Sequence, residues 1–153
     1  MTITAWRICK KKYAKTMWTG VGARSVAGRW HSRGTLVVYA SGSISLAAVE
    51  LLVHLDAAEV LSSFVKCAVT FDDRLVTRAD PATLPRNWRA DPPPLALRSI
   101  GDDWAAAGTS AVLAVPSAVV PEEWNYVLNP AHPDFRRVTI GAVQPFDFDP
   151  RLA

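Results

Sequence analysis

Apolar residues along this chain gather in short blocks set apart by Gly, Pro, Ser and Asn, and the spacing inside each block selects an element. Ala5 to Cys9 reads as a short strand. Gly20 to Gly34, rich in Gly and Ser, reads as an irregular loop, and Leu36 to Ala40 as a continuous apolar strand. Ser41, Gly42 and Ser43 then supply a turn and a cap for a helix predicted over Ile44 to Leu55. That helix is apolar on nearly every side, which predicts burial. Ser63 to Phe71 reads as a strand, and Leu95 to Ala107 as a helix introduced by the stiff crossing Pro92-Pro93-Pro94. Ala111 to Val115 reads as a buried strand ending at Pro116. Asn125 to Pro130 reads as a loop whose asparagines either order the chain or touch a ligand. Val138 to Val143 is the last predicted strand, and Gln144 to Leu152 should cross the surface in extended form. Strands outnumber helices without alternating regularly with them, which predicts an α+β fold: a mixed sheet with packed helices. No repeat or linker divides the sequence, so one domain over residues 1–153 is expected.

Composition narrows the class. The chain has 153 residues, 50% hydrophobic and 20% charged, which excludes disorder and a coiled coil. The richest apolar run, Ala111 to Val120, is broken by Pro116 and falls short of the ~18 to 20 residues a membrane span needs. Met1 to Tyr13 lacks the apolar core of a secretory signal and carries Lys10, Lys11 and Lys12, so a cytoplasmic location with no membrane contact is expected. Cys9 and Cys67 have neither CxxC spacing nor the company of a disulfide framework, and should be small, reduced core residues.

Charge divides unevenly. The first acid is Glu50, and before it stand Arg7, Lys10, Lys11, Lys12, Lys15, Arg24, Arg29 and Arg33. A basic segment of this kind implies a phosphate-bearing ligand, an acidic partner surface or a solvated basic face. Arg29, between Gly28 and Trp30, is the hardest of these to leave in water.

Familiar sites can be set aside. Ser25 stands where GxGxxG needs its third glycine, and there is no Walker lysine, GxSxG or HExxH. His31, His54 and His132 lack metal-ligand spacing with one another or with the cysteines, so no metal is expected. Glu50 remains. In Leu46-Ala47-Ala48-Val49-Glu50-Leu51-Leu52-Val53 it is either a functional acid in an apolar setting or part of a solvent stripe with His54. Arg29 and Tyr39 can reach the same cleft through the strand that feeds this helix. A guanidinium for phosphate, a phenol for stacking and a carboxylate for a sugar cation together suit a nucleotide. Ser117 places one hydroxyl after a buried strand, with no His–Asp arrangement to make it a nucleophile.

Taken in order, Trp6-Arg7-Ile8, Gly28-Arg29-Trp30-His31, Val38-Tyr39-Ala40, Glu50-Leu51-Leu52-Val53-His54-Leu55, Val115-Pro116-Ser117, Asn125-Tyr126, Asn129-Pro130-x-His132-Pro133 and the closing Asp149-Pro150-Arg151-Leu152 resemble the RES-domain toxins of type II toxin–antitoxin pairs. The resemblance implies an ADP-ribosyltransferase-like fold and activity on NAD as substrate, without a metal. The implied reactions are hydrolysis or phosphorolysis at the nicotinamide–ribose bond, or ADP-ribose transfer to a protein. Arg29, Tyr39, Glu50 and Ser117 match the family's active-site positions, with Arg7 and Asn125 as further nucleotide contacts. In that reading Arg29 grips the pyrophosphate, Tyr39 stacks on nicotinamide or the adjoining ribose, Glu50 meets the ribose hydroxyls, and Ser117 orients the nicotinamide ribose or amide. The implied partner is an Xre-like antitoxin, with no direct nucleic-acid contact outside that complex. The basic, aromatic first third (Trp6, Tyr13, Trp18, Trp30) keeps an RNA-binding or RNA-cleaving toxin, or a non-catalytic nucleotide-binding module, as the competing classes.

Overall fold

A computed structural model describes residues 1–153. Eight strands form one mixed sheet in the order β4-β5-β6-β2-β1-β3-β7, with β8 also on β3. The strands are β1 (Thr2–Lys10), β2 (Val38–Ser41), β3 (Phe64–Asp72), β4 (Val76–Arg78), β5 (Val112–Pro116), β6 (Trp124–Leu128), β7 (Thr139–Ile140) and β8 (Gln144–Phe146). Only β4 and β5 run parallel; every other pairing is antiparallel. The helices are α1 (Val21–Ser25), α2 (Ile44–Leu52), α3 (Ala57–Val60) and α4 (Leu95–Ala107), joined by several 3-10 turns. The α+β mixed sheet expected from the sequence is the observed architecture.

Several elements depart from those expected. Trp124–Leu128 is an inner strand despite Asn125, because Val115 on one side and Ser41 on the other pair with that residue. The expected strand Val138 to Val143 is reduced to Thr139–Ile140: the backbone at Gly141 lies against Ala68, and pairing resumes only at Gln144–Phe146, within the supposed surface crossing. The loop Gly20 to Gly34 contains α1. The helix expected to reach Leu55 stops at Leu52, and Asp56 starts α3 with a reciprocal capping box to Glu59.

Two packing layers position the site. On one face of the sheet Trp30, Val37, Leu113, Val115 and Val127 pack against Leu97 and Trp104 of α4. α4 comes so close that a Cβ on Gly101 would lie 1.7 Å from the Trp30 carbonyl oxygen, so only glycine fits there. On the other face Ala5, Val38, Ala40, Val69, Phe71 and Tyr126 form the larger core. Cys9 and Cys67 are both buried and free, as expected. α2 is not buried all round: Leu46 and Ala47 are, while Glu50 is half-buried and His54 exposed.

Candidate active site

The sheet opens where β1 and β2 part. They share a single register pair, Trp6 with Ser41, and beyond it the strands diverge. The gap forms a cleft of about 250 Å³ walled by Arg7, Met17, Gly28, His31 and Tyr39 among others.

At the Ser41 end lies an acid cluster assembled from four elements. Ser43 caps α2 through the Leu46 amide, which sets the helix that carries Glu50. Glu50 Oε1 accepts from Ser117 Oγ at 2.5 Å and from Asn125 Nδ2 at 2.8 Å. Asn125 Oδ1 in turn accepts from Ser41 Oγ at 2.7 Å, which fixes the amide's orientation. Glu50 Oε2 makes no hydrogen bond within the protein. One carboxylate oxygen is saturated and the other is available to a ligand.

Ser117 is fully buried, and its hydroxyl is used three times: it donates to Glu50 and accepts from the amides of Val119 and Val120 at 3.1 and 3.0 Å. A hydroxyl offers one donor and two acceptor sites, so all three of Ser117's are taken within the protein, the donor by Glu50.

The cation end is built differently. Arg7 enters from β1 and donates through Nη1 to the Tyr39 carbonyl at 3.1 Å, while its buried Nε has no partner. Burial lowers the Arg7 guanidinium from its ordinary range, and no carboxylate pairs with it. A buried cation without a counter-ion is a standing invitation to an anion. Arg29 spends Nη1 on two carbonyls, Trp88 and Ala90, each at 2.8 Å, leaving Nε and Nη2 unengaged within the protein. Burial lowers Arg29, and the neighbouring charges of Asp91 and Glu50 oppose that shift. Arg89 reaches from the same segment to the Ala118 carbonyl at 2.9 Å, so the stretch around Trp88 bridges the Arg29 loop and the Ser117 loop.

Tyr39 shares one side of β2 with Ser41 and so links the two ends. Burial holds its phenol well above the usual range. The hydroxyl lies 2.6 Å from His31 Nδ1 and accepts from the Trp30 amide at 3.3 Å, leaving the ring as the part open to a ligand.

The structure thus joins Glu50, Ser117 and Asn125 directly, with Tyr39 and Arg7 along one cleft and Arg29 within electrostatic reach of Glu50. The cleft wall itself stops short of Glu50. The sequence did not point to Ser41, His31, Arg98 or Asp102. Arg98 Nε donates to the Gly28 carbonyl at 3.0 Å; Asp102 Oδ1 accepts from the Ser32 amide at 2.8 Å and from Thr35 Oγ at 2.7 Å. Burial raises Asp102, but these bonds outweigh it and hold the carboxyl below the usual range. Together they pin the Gly28–Thr35 loop to α4. The spacing Arg98-x-x-Gly101-Asp102 is one helical face, the available signal that α4 grips something specific.

No helix is long and apolar enough to cross a membrane, and no group of three or more His, Cys, Asp or Glu could hold a metal ion.

Comparison with known proteins follows the same line. The family model described as RES domain matches residues 4–149. A protein called Toxin Res from Yersinia enterocolitica is 40% identical over 149 residues, spanning 96% of this chain and 97% of its own length. A protein called Prs ADP-ribosylating toxin from a Sphingobium species is 36% identical over 157 residues, spanning 99% and 98%. The crystal structure of the M. tuberculosis MbcT–MbcA toxin–antitoxin complex contains a chain with the same fold, at a TM-score of 0.74 and 18% identity, over 99% of this chain and 87% of that one.

Proposed function

This chain belongs to the RES domain family, and on that premise we propose that it is the toxin of a toxin–antitoxin pair and breaks the nicotinamide–ribose bond of NAD. The observation that carries the reading is Glu50: one oxygen tied by Ser117 and Asn125, the other without a partner, in a cluster whose Ser41 stands two strand positions past the Tyr39 that lines a cleft together with Arg7, a guanidinium no carboxylate pairs with. An acid end and a cation end on one cleft match a molecule that carries a diphosphate and a ribose whose anomeric carbon becomes cationic as its base leaves.

Arg7, which lines the cleft and has no carboxylate partner, takes a diphosphate oxygen, and the free nitrogens of Arg29 supply a second contact. The Tyr39 ring gives the flat surface for nicotinamide or its ribose. Glu50 Oε2 accepts from the ribose hydroxyls and stabilises the positive charge that grows as the C–N bond breaks and nicotinamide leaves with the bonding pair. Ser117 and Asn125 work by holding Glu50 in the orientation that charge requires, so no reorganisation is needed at the moment of reaction. The anomeric carbon is then taken by an acceptor oxygen or other nucleophile.

Water and phosphate are the small acceptors; a protein side chain is the second reading, favoured by the 36% identical relative called an ADP-ribosylating toxin. The partner is an antitoxin protein of Xre-like type that covers the cleft. Incubating the purified protein with NAD in water, in phosphate and with added lysate, and following free nicotinamide and labelled ADP-ribose, tests both readings. Nicotinamide release in the absence of phosphate supports hydrolysis, and release that depends on phosphate supports phosphorolysis. Label appearing on protein only with lysate supports transfer. Intact NAD in all three arms refutes the activity.

A further inference from the structure

We infer that His31 is a positioning residue of this cleft: locked as the Nε2–H tautomer, it turns the Tyr39 hydroxyl away from the substrate and fixes the ring that faces it. The inference rests on the NAD reading above for what the ring is positioned against, but its geometry stands by itself. His31 is 2% exposed. Its Nε2 lies 2.8 Å from the Ala23 carbonyl and 2.9 Å from the Val26 carbonyl. Carbonyl oxygens can only accept, so Nε2 carries the proton. Nδ1, 2.6 Å from Tyr39 Oη, then accepts in the neutral ring, and Tyr39 must donate.

The alternative is an imidazolium with both nitrogens donating. It would bury a charge that no carboxylate touches, whereas the neutral arrangement satisfies every group: Tyr39 Oη donates to Nδ1 and accepts from the Trp30 amide. The pair is packed as tightly as it is bonded. A Cβ on Gly28 would lie 2.8 Å from His31 Cε1, 2.9 Å from Nδ1 and 3.0 Å from Tyr39 Oη, so glycine is what lets the two rings meet there. The ring centroids are 5.4 Å apart with planes tilted by 49°. His31 thereby ties the α1 segment that roofs the cleft to the strand that floors it, through two carbonyls on one side and one phenol on the other.

Two consequences separate this role from plain core filling. The Tyr39 hydroxyl contributes through His31 rather than through the substrate, so Tyr39→Phe keeps the ring and loses only its anchor. His31→Ala and Tyr39→Phe should then be non-additive, because each removes the same bond.

The test uses the full chain and two independent measurements. Long-range ¹H–¹⁵N correlation of the wild-type imidazole reads the tautomer whether or not NAD is turned over; the Nε2–H pattern is expected, and an Nδ1–H or doubly protonated pattern at neutral pH overturns the inference. Steady-state nicotinamide release is then measured for His31→Ala, Tyr39→Phe and the double variant. KM for NAD should rise about tenfold in His31→Ala with kcat within about threefold, and by a few fold in Tyr39→Phe, the scale of one lost hydrogen bond to an ordered ring. The double variant should match His31→Ala. Effects that multiply would assign His31 to the α1 loop alone and overturn the link to Tyr39. If His31→Ala does not fold, Tyr39→Phe carries the kinetic test: a loss of kcat above about 100-fold would mean the hydroxyl meets the substrate, against the inference. Wild-type protein that releases no nicotinamide while showing the Nε2–H pattern would fail the NAD reading and leave the tautomer lock standing.

Discussion

The two ends of the cleft are held by opposite means. At the acid end, side chains bond to side chains: Ser41 to Asn125, and Asn125 and Ser117 to Glu50, until a single carboxylate oxygen is left over. At the cation end, guanidinium groups bond only to backbone carbonyls, Arg7 to Tyr39 and Arg29 to Trp88 and Ala90, and neither forms an ion pair with an acid. A carboxylate fixed by neutral donors keeps its charge for the ligand, and so does a cation fixed by neutral acceptors. Pairing Glu50 with Arg29 directly would have made a stable salt bridge and a useless site. In the proposed reaction this difference divides the work: the acid end would meet charge that exists only in the transition state, and the cation end charge the substrate always carries.

Breaking the acid end should have the largest effect. Glu50→Gln keeps the shape and can still accept from Ser117 and Asn125, yet presents an amide where Oε2 was. Turnover should fall on the order of 10²-fold or more with NAD affinity held within a few fold. Near-normal release of nicotinamide by this variant would end the division of labour. Breaking the cation end should move affinity instead. Arg7→Met should weaken NAD binding by about 10- to 100-fold, the loss of a charge-assisted contact. It should also raise the thermal midpoint, because a buried guanidinium with an orphaned Nε is replaced by an apolar chain; about 1 kcal/mol, or 2–4 °C, is the expected scale. A destabilised Arg7→Met would show that its bond to the Tyr39 carbonyl outweighs its desolvation.

Ser117→Ala sharpens the comparison from the side of support. It frees Glu50 Oε1 of its shortest bond and leaves the Val119 and Val120 amides without their acceptor. Turnover should drop on the order of tenfold through misorientation, with a stability loss of about 1–3 kcal/mol by denaturant titration. A loss as large as that of Glu50→Gln would mean the hydroxyl does more than orient. The smallest effect belongs to the exposed lysines. Lys10 is drawn off by Glu59 at 2.7 Å, and Arg7 lies inside the cleft, so the basic rim reduces to Lys11, Lys12 and Lys15. Replacing these three with Gln should slow NAD capture about two- to threefold at low salt, with no difference at about 0.5 M and saturated turnover intact. Loss of RNA retention in a shift assay, with unchanged NAD kinetics, would instead favour the nucleic-acid reading of the basic segment.

How much of this was legible depends on the range of the interaction that decides each feature. α4 was readable to the residue because Pro92 to Pro94 and Gly108 punctuate it locally, and α2 began where Ser43 caps it. Arg29, Tyr39 and Glu50 stood out because each is an unusual residue for its neighbourhood. β6 was not readable: Asn125 and Asn129-Pro130 look like turn chemistry, and only the Glu50 carboxylate, 75 positions away, explains why an asparagine sits inside a strand. Arg98 and Asp102 gave only their shared helical face, since their bonds to Gly28 and Ser32 span 70 positions, and the bonds of His31, though 5 to 8 positions long, depend on the irregular fold of the loop from Gly20 to Gly34. Ser117 was legible as a position but not as a role, because burial and triple use of its hydroxyl follow from the turn to Val120.

The most direct test of the account is a quenched time course of free nicotinamide from NAD, run with the wild-type protein beside Glu50→Gln after calorimetry has shown that both bind NAD. Many turnovers are expected of the wild type, and a variant that binds as tightly should release nicotinamide at least about 100-fold more slowly. A wild-type protein that binds NAD and leaves it intact, or a variant that releases nicotinamide at the wild-type rate, would contradict the account.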